Sequence, residues 1–173
     1  MDKLIERIMD SDKWPSIGYS ENMDMLNEMA DECFNSNTIS GMLSATLMYH
    51  QLIEAMCIHL LDDCHFFIQL SIYPANIEFP IDDKKMLGVY INELKRSINF
   101  DRKDDFIEEV TKFNLIRNDV IHNMRKNNLA ETMGKLAKIK CIFDNIYNLY
   151  DEIQDDFRVD FHNFKKDVFC DYI

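Results

Sequence analysis

Turn-forming residues are what this chain most lacks: it has four glycines and three prolines among 173 residues, about a third of ordinary usage. That scarcity starves a β fold of its hairpin turns and favours helices. The glycines, at 18, 41, 88 and 134, stand far apart. A GxGxxG fingerprint or a phosphate-cradling P-loop needs several within one turn, so classical nucleotide-binding loops are excluded. Long hydrophobic runs are missing too. The longest charge-free stretch, Cys33 to Ile53, contains Asn35, Asn37, Thr38, Ser44, His50 and Gln51, too polar to span a bilayer, and no membrane segment is expected. The five cysteines form no CxxC pair. Their odd number and a start unlike a signal peptide lead us to expect reduced thiols and a cytoplasmic location.

What is present is apolar and acidic. Apolar residues make up 47% of the chain and the formal charge is −12, a combination too hydrophobic for a disordered acidic segment. The length fits one domain with a single core. Leu4, Ile5, Ile8 and Met9 keep helical spacing up to Trp14-Pro15, and a turn through Gly18 follows. A second helix is expected from Ser20, with Met23, Leu26, Met29, Ala30, Cys33 and Phe34 facing inward and Asn35 to Asn37 closing it. The longest pattern runs from Thr38 to Tyr73, about 54 Å as a helix, apolar around most of its circumference and so central; Gly41 is expected to break its first turn. After a loop over 74–82, Asp82 or Asp83 would cap a helix through Leu87, Tyr90, Ile91 and Leu94. Another follows from about Lys103 to His122. A corner at Asn127-Asn128 leads to a helical pattern from Leu129 that continues unbroken to Phe157. The acidic tail with Phe157, Phe161, Phe164, Phe169 and Tyr172 reads either as a last packed helix or as an amphipathic segment that docks on a partner.

Two apolar stripes are interrupted by polar residues. On the helix after Lys103 the stripe is Phe106, Val110, Phe113, position 117, Val120 and Met124, and position 117 is Arg. A guanidinium in a core-facing stripe loses hydration and needs an anion or carbonyl. On the central helix, His50 and Glu54 interrupt Leu43, Leu47, Cys57, Leu61, Cys64 and Ile68, which suggests a contact between Glu54 and Arg117. His122 lies about 140° around the helix from Arg117, whereas Asn118, His122 and Arg125 share a face. Arg117 would therefore have to reach around to join one polar site. Imidazole with guanidinium suits phosphodiester chemistry, the first moving protons near neutral pH and the second stabilising charge on phosphate oxygens.

The segment RNDVIHNM, Arg117 to Met124, resembles the signature of the HEPN superfamily, compact helical bundles in which an Arg, often followed by Asn, precedes a His by four to six residues. The order of YHQLIEAMCIHLL, KKMLGVYINELK and EEVTKFNLIRNDVIH is similar to the family's over roughly residues 40–150. The resemblance implies a homodimer whose paired motif helices form a composite cleft, cutting RNA without metal to 2′,3′-cyclic phosphate and 5′-hydroxyl ends, as in many toxin and phage-defence members. It implies His122 as general acid or base, Arg117 as stabiliser of the phosphorane and Asn118 as orienting or phosphate-binding group. Glu54 would fix Arg117, Asp119 would support the motif, and Arg125 and Lys126 would bind substrate. Such toxins often need a neutralising partner resembling a nucleotidyltransferase. Other members are inactive scaffolds or regulators, so a non-catalytic interaction protein stands as the alternative.

Charge geography bears on both readings. Thirteen of the 19 basic residues fall within 82–150. Arg117, Arg125, Lys126, Lys135, Lys138 and Lys140 oppose only Asp119 and Glu131 between 117 and 140, enough for a phosphate-attracting rim on a chain that otherwise repels nucleic acid. No metal and no cofactor are expected: the cysteines near His50 and His65 read as helix packing. The expectation is an all-α, HEPN-like bundle of five to seven helices with a long central helix. It is one domain over 1–173, with a core at about 38–157, N-terminal helices in 1–35 and a C-terminal amphipathic helix at about 158–172.

Overall fold

The computed structural model describes residues 3–15, 21–75, 77–79, 85–126 and 128–168. Among them every regular element is helical: α1 (Lys3–Met9), a single 3-10 turn (Ser11–Lys13), α2 (Glu21–Asn35), α3 (Ile39–Ile72), α4 (Leu87–Arg96), α5 (Lys103–Asn123), α6 (Leu129–Leu136) and α7 (Ile139–Val168). The chain is an all-α bundle. Gly18, Ser20, Asp82, Asp83, Asn127, Phe169 and Tyr172, which carried expectations above, lie outside the described residues.

The central place of α3 follows from its composition. Tyr49, Leu52, Ile53, Met56, Cys57, Leu60, Leu61 and Cys64 are all buried, so neighbours cover most of its circumference. α2 folds back along α3 through a turn in which Asn37 adopts a left-handed conformation with φ 53°. Thr38 then caps α3 by accepting the Gly41 backbone N–H at 3.0 Å. Gly41 does not break that turn. A side chain there would run into Ser36 and the Cys33 carbonyl, so glycine is what lets α2 approach so closely. On α2, Met23 and Ala30 are buried while Met29 is exposed, against the expected inward face. α1 is pinned by Arg7, whose guanidinium pairs with Asp62 of α3 at 2.9 Å, and by the Trp14 indole, which donates to the Ile8 carbonyl.

α4 begins at Leu87, later than a cap at Asp82 or Asp83 would place it, and Met86 is its cap residue. Its C-terminal carbonyls are served by a buried lysine: Lys103 Nζ donates to the Ser97 and Ile98 carbonyls at 3.0 and 3.1 Å. A cation on those carbonyls compensates the negative end of the helix. Arg102, left-handed at φ 60°, then turns the chain into α5. The pattern expected to run unbroken from Leu129 is two helices, divided at Ala137-Lys138. Asn128 caps α6 by accepting the Glu131 N–H at 2.8 Å. α7 returns along α5, bringing Glu152 to Arg102 and Phe157 to Phe100. It continues through residues 158–168 without interruption, with Phe161 buried against Trp14 and Phe66. The tail is therefore a packed extension of α7 as far as it is described.

The C-terminal end of α5 rests on its own small core, in which Val120, Met42 and Leu136 are buried together with Ile116, Leu43 and Met133 around them. This cluster ties the motif to the start of α3 and the end of α6. No helix of the described residues is long and apolar enough to cross a membrane.

Candidate functional site

Phe106, Val110 and Phe113 anchor α5 in the main core, and Val120 locks it again one turn beyond the Arg. Arg117 lies between these anchors and is half-buried. Its Nη1 donates to Asn118 Oδ1 at 2.8 Å, and Asn118 Nδ2 donates to Asn114 Oδ1 at 3.3 Å. Its Nε is buried without a hydrogen-bond partner among the described residues. The guanidinium cannot shed its charge, so this corner retains a positive field and one unspent donor.

Two α3 side chains feel that field. His50 is pushed down to about 4, chiefly by burial and then by Arg117, so its imidazole is neutral at pH 7. Glu54 is raised above the ordinary carboxylate range by burial, an effect opposed by the Leu87 backbone N–H and by Arg117. His50 Nδ1 stands 3.7 Å from Glu54 Oε2. The expected contact between Glu54 and Arg117 is not an ion pair, for no such pair forms within 4 Å; the partner of Glu54 is the first N–H of α4. Arg117 acts on Glu54 at longer range. A carboxylate at a helix N-terminus is well placed electrostatically, and it binds α4 to α3 beside the motif.

The remaining motif residues separate by role. Asp119 pairs with Lys135 at 2.6 Å and accepts from Asn123 at 2.8 Å; both hold its carboxyl below the usual range, Lys135 most. It braces α5 against α6. His122, Arg125 and Lys126 are exposed, and His122 and Arg117 occupy different sides of the helix, as the 140° separation requires. Arg117 reaches around only as far as Asn118, which is one turn before His122 on the His122 face. Asn114, Asn118 and the Arg117 guanidinium thus form a polar track leading toward an exposed imidazole. The basic rim is thinner than its sequence suggests. Lys135 is paired with Asp119 and Glu131, and Lys140 with Asp31 and Asp144. Arg125, Lys126 and Lys138 are exposed and form no ion pair among the described residues.

Sequence reasoning missed Asn114 and the Leu87 N–H. The first was visible as a residue four before Asn118. The second depended on where α4 starts, which no local pattern indicated. Exposed apolar side chains neighbour the site residues in sequence: Met86 is 77% exposed and Leu115 65%, with Leu47 one turn before His50 also exposed. Cys57, which follows Glu54 on the stripe, is fully buried with its thiol pushed up by desolvation. Among the described residues no group of three or more His, Cys, Asp or Glu is placed to hold a metal ion. No family model matches the chain, and no curated protein and no solved structure matches it.

Proposed function

We propose that the chain is a HEPN-like, metal-independent endoribonuclease of toxin or phage-defence type, acting as a homodimer whose α5 ends meet. The observation that carries this reading is the half-buried Arg117 guanidinium, which among the described residues has no hydrogen-bond partner for its Nε and no carboxylate within ion-pair distance, on the helix that presents His122 to solvent. A phosphate oxygen supplies the missing acceptor. His122 takes the proton from the RNA 2′-hydroxyl or returns one to the departing 5′-oxygen. The 2′-oxygen bonds to the adjacent phosphorus as the 5′-oxygen leaves, and Arg117 stabilises the charge on the phosphorane. Asn118 holds the guanidinium, Glu54 tunes its field from α3, and Arg125 and Lys126 attract the backbone. The exposed side chains of Leu47, Met86 and Leu115 suit burial between two copies.

Induced expression tests this directly. Wild type should arrest growth and leave RNA ends bearing 2′,3′-cyclic phosphate, whereas folded Arg117→Ala and His122→Ala at matched levels should do neither. A harmless wild type with unchanged RNA would remove the nuclease reading.

A specific observation favours a second reading. With Lys135 and Lys140 neutralised internally on a chain of charge −12, the site attracts nucleic acid weakly, and the exposed Leu47, Met86 and Leu115 suit a protein partner. On this reading the chain is a non-catalytic HEPN-like interaction protein. For the nuclease, a neutralising, nucleotidyltransferase-like antitoxin would be a further partner.

A further inference from the structure

Between the second half of α3 and the C-terminal half of α4 lies a cavity of about 300 Å³, walled by Leu61, His65, Ile68 and Phe79. The segment that leaves α3 is fastened to it by Gln69, whose amide nitrogen donates to the Ala75 carbonyl at 3.0 Å and whose amide oxygen accepts from the Ile77 N–H at 3.1 Å. Phe79 lies flat on the His65 imidazole, with ring centroids 4.2 Å apart and planes inclined at 7°. Both residues are only half-buried, so the stacked pair is a wall with open surface and not part of the core. Burial holds His65 below the ordinary histidine range, an effect opposed by Asp62 and Glu93. The ring is therefore uncharged at neutral pH and leaves the wall apolar.

The polar groups that line the cavity are committed, with one exception. Lys85 pairs with Glu93 at 2.7 Å, and the Ser97 hydroxyl donates to the Leu94 carbonyl at 2.7 Å. Arg96 is exposed and forms no ion pair among the described residues. Its guanidinium cannot lose its charge and presents a fork that matches a carboxylate. Apolar walls with one unneutralised cation at the rim complement a molecule that has a hydrocarbon body and a single negative end. A phosphate dianion would find too few donors for its oxygens. A cavity of about 150 Å³ holds benzene, so this one has room for about ten non-hydrogen atoms. We propose that it binds a medium-chain monocarboxylate, with the carboxylate at Arg96 and the hydrocarbon body against Leu61, Ile68 and Phe79.

Calorimetric titration of the full chain with octanoate, beside 1-octanol and acetate at neutral pH in low salt, tests the proposal. Octanoate should bind saturably at one site, 1-octanol more weakly, and acetate not measurably, because the alcohol lacks the charge and acetate lacks the body. Arg96→Gln should weaken octanoate about fivefold, the upper range for a charge pair at the surface, and leave 1-octanol unchanged. That position is exposed, so circular dichroism and the unfolding midpoint should not move. Ile68→Trp, at a half-buried position in the wall, should fill the cavity and abolish binding of both compounds. Should that variant fail to fold, Arg96→Gln decides alone. No saturable octanoate binding, equal affinity for 1-octanol, or undiminished octanoate binding in either folded variant would overturn the proposal. None of these outcomes touches the ribonuclease reading, which concerns the opposite end of α4, where the Leu87 N–H meets Glu54.

Discussion

The two halves of α3 handle buried polarity in opposite ways. In the first half, His50 and Glu54 face a half-buried Arg117. In the second, Asp63 is fully buried and bonded to the equally sealed Gln154 of α7. Each region contains a polar atom with no hydrogen-bond partner among the described residues, Arg117 Nε and Asp63 Oδ1. The difference lies in how each side chain can escape. Burial pushes Asp63 up to about 7, an effect opposed by the Gln154 hydrogen bond and by Arg158 and Arg7 and reinforced by Asp62; a carboxylic acid can take up a proton and become neutral. A guanidinium has no such route. One region therefore settles its charge within the fold, and the other leaves it available to an incoming anion.

The largest effect should separate the two regions by activity. If RNA is the substrate, Arg117→Ala should lower the cleavage rate by about a hundredfold to a thousandfold, the usual cost of losing a charge-stabilising donor. Gln154→Ala should leave the rate of the folded protein unchanged, as single-turnover assays on a labelled oligonucleotide would show. Equal losses in both would make Arg117 a structural group.

The next effect is on stability. Gln154→Ala removes the partner of a buried carboxylate and should cost about 1 to 3 kcal/mol in urea unfolding, with the larger value at pH 8, where Asp63 is more fully ionised. Lys103→Met should cost a similar amount, because it strips the α4 carbonyls of their donor.

A smaller effect appears in the pH profile. Asp63 binds its proton more tightly in the folded chain, with a value of about 7, than in the unfolded one, near 4. Between those values the folded state holds more protons, so this group's contribution to stability falls as pH rises from about 4 to 7. His50, lowered to about 4, and His59, also lowered by burial, work in the opposite sense over part of that window, since protonating them favours unfolding. Wild type compared with Asp63→Asn isolates the acid. The variant should gain on wild type by about 2 to 3 kcal/mol between pH 5 and pH 8, and parallel unfolding curves would overturn this assignment.

The contrast between the regions also explains how much was legible beforehand. Helical spacing located α2, α3, α5 and the break before Lys103, because apolar periodicity is local. It carried the pattern straight through Ala137-Lys138, where a division leaves the hydrophobic spacing intact. Arg117, His50 and Glu54 stood out as interruptions of apolar stripes, and the structure does bring them to one corner. Asp63 and Gln154 gave no such signal. Their burial depends on α3 meeting α7, whose paired residues are 91 positions apart. The direct link between Glu54 and Arg117 failed for the same reason: a backbone N–H from α4 claimed the carboxylate, and side-chain patterns do not announce backbone partners. The rim was overcounted because Asp31, remote in sequence, reaches Lys140 at 2.7 Å.

The smallest effect concerns Asp119, which the signature resemblance places beside the reacting groups and the geometry joins to Lys135 and Asn123. Exposed ion pairs contribute about 0 to 1 kcal/mol, so Asp119→Asn should shift the urea midpoint slightly, and still less at high salt, where screening has already weakened the pair. Lys135→Met should produce a comparable shift, and the double variant should fall short of the sum of the two, as expected for residues that share one contact. Cleavage should survive in both single variants, because neither side chain touches the Arg117 and Asn118 track. Loss of cleavage in Asp119→Asn with Lys135→Met unaffected would instead give the carboxylate a role at the reacting atoms, and the line between the bracing and the reactive part of the motif would move from Asp119 to the helix face beyond it.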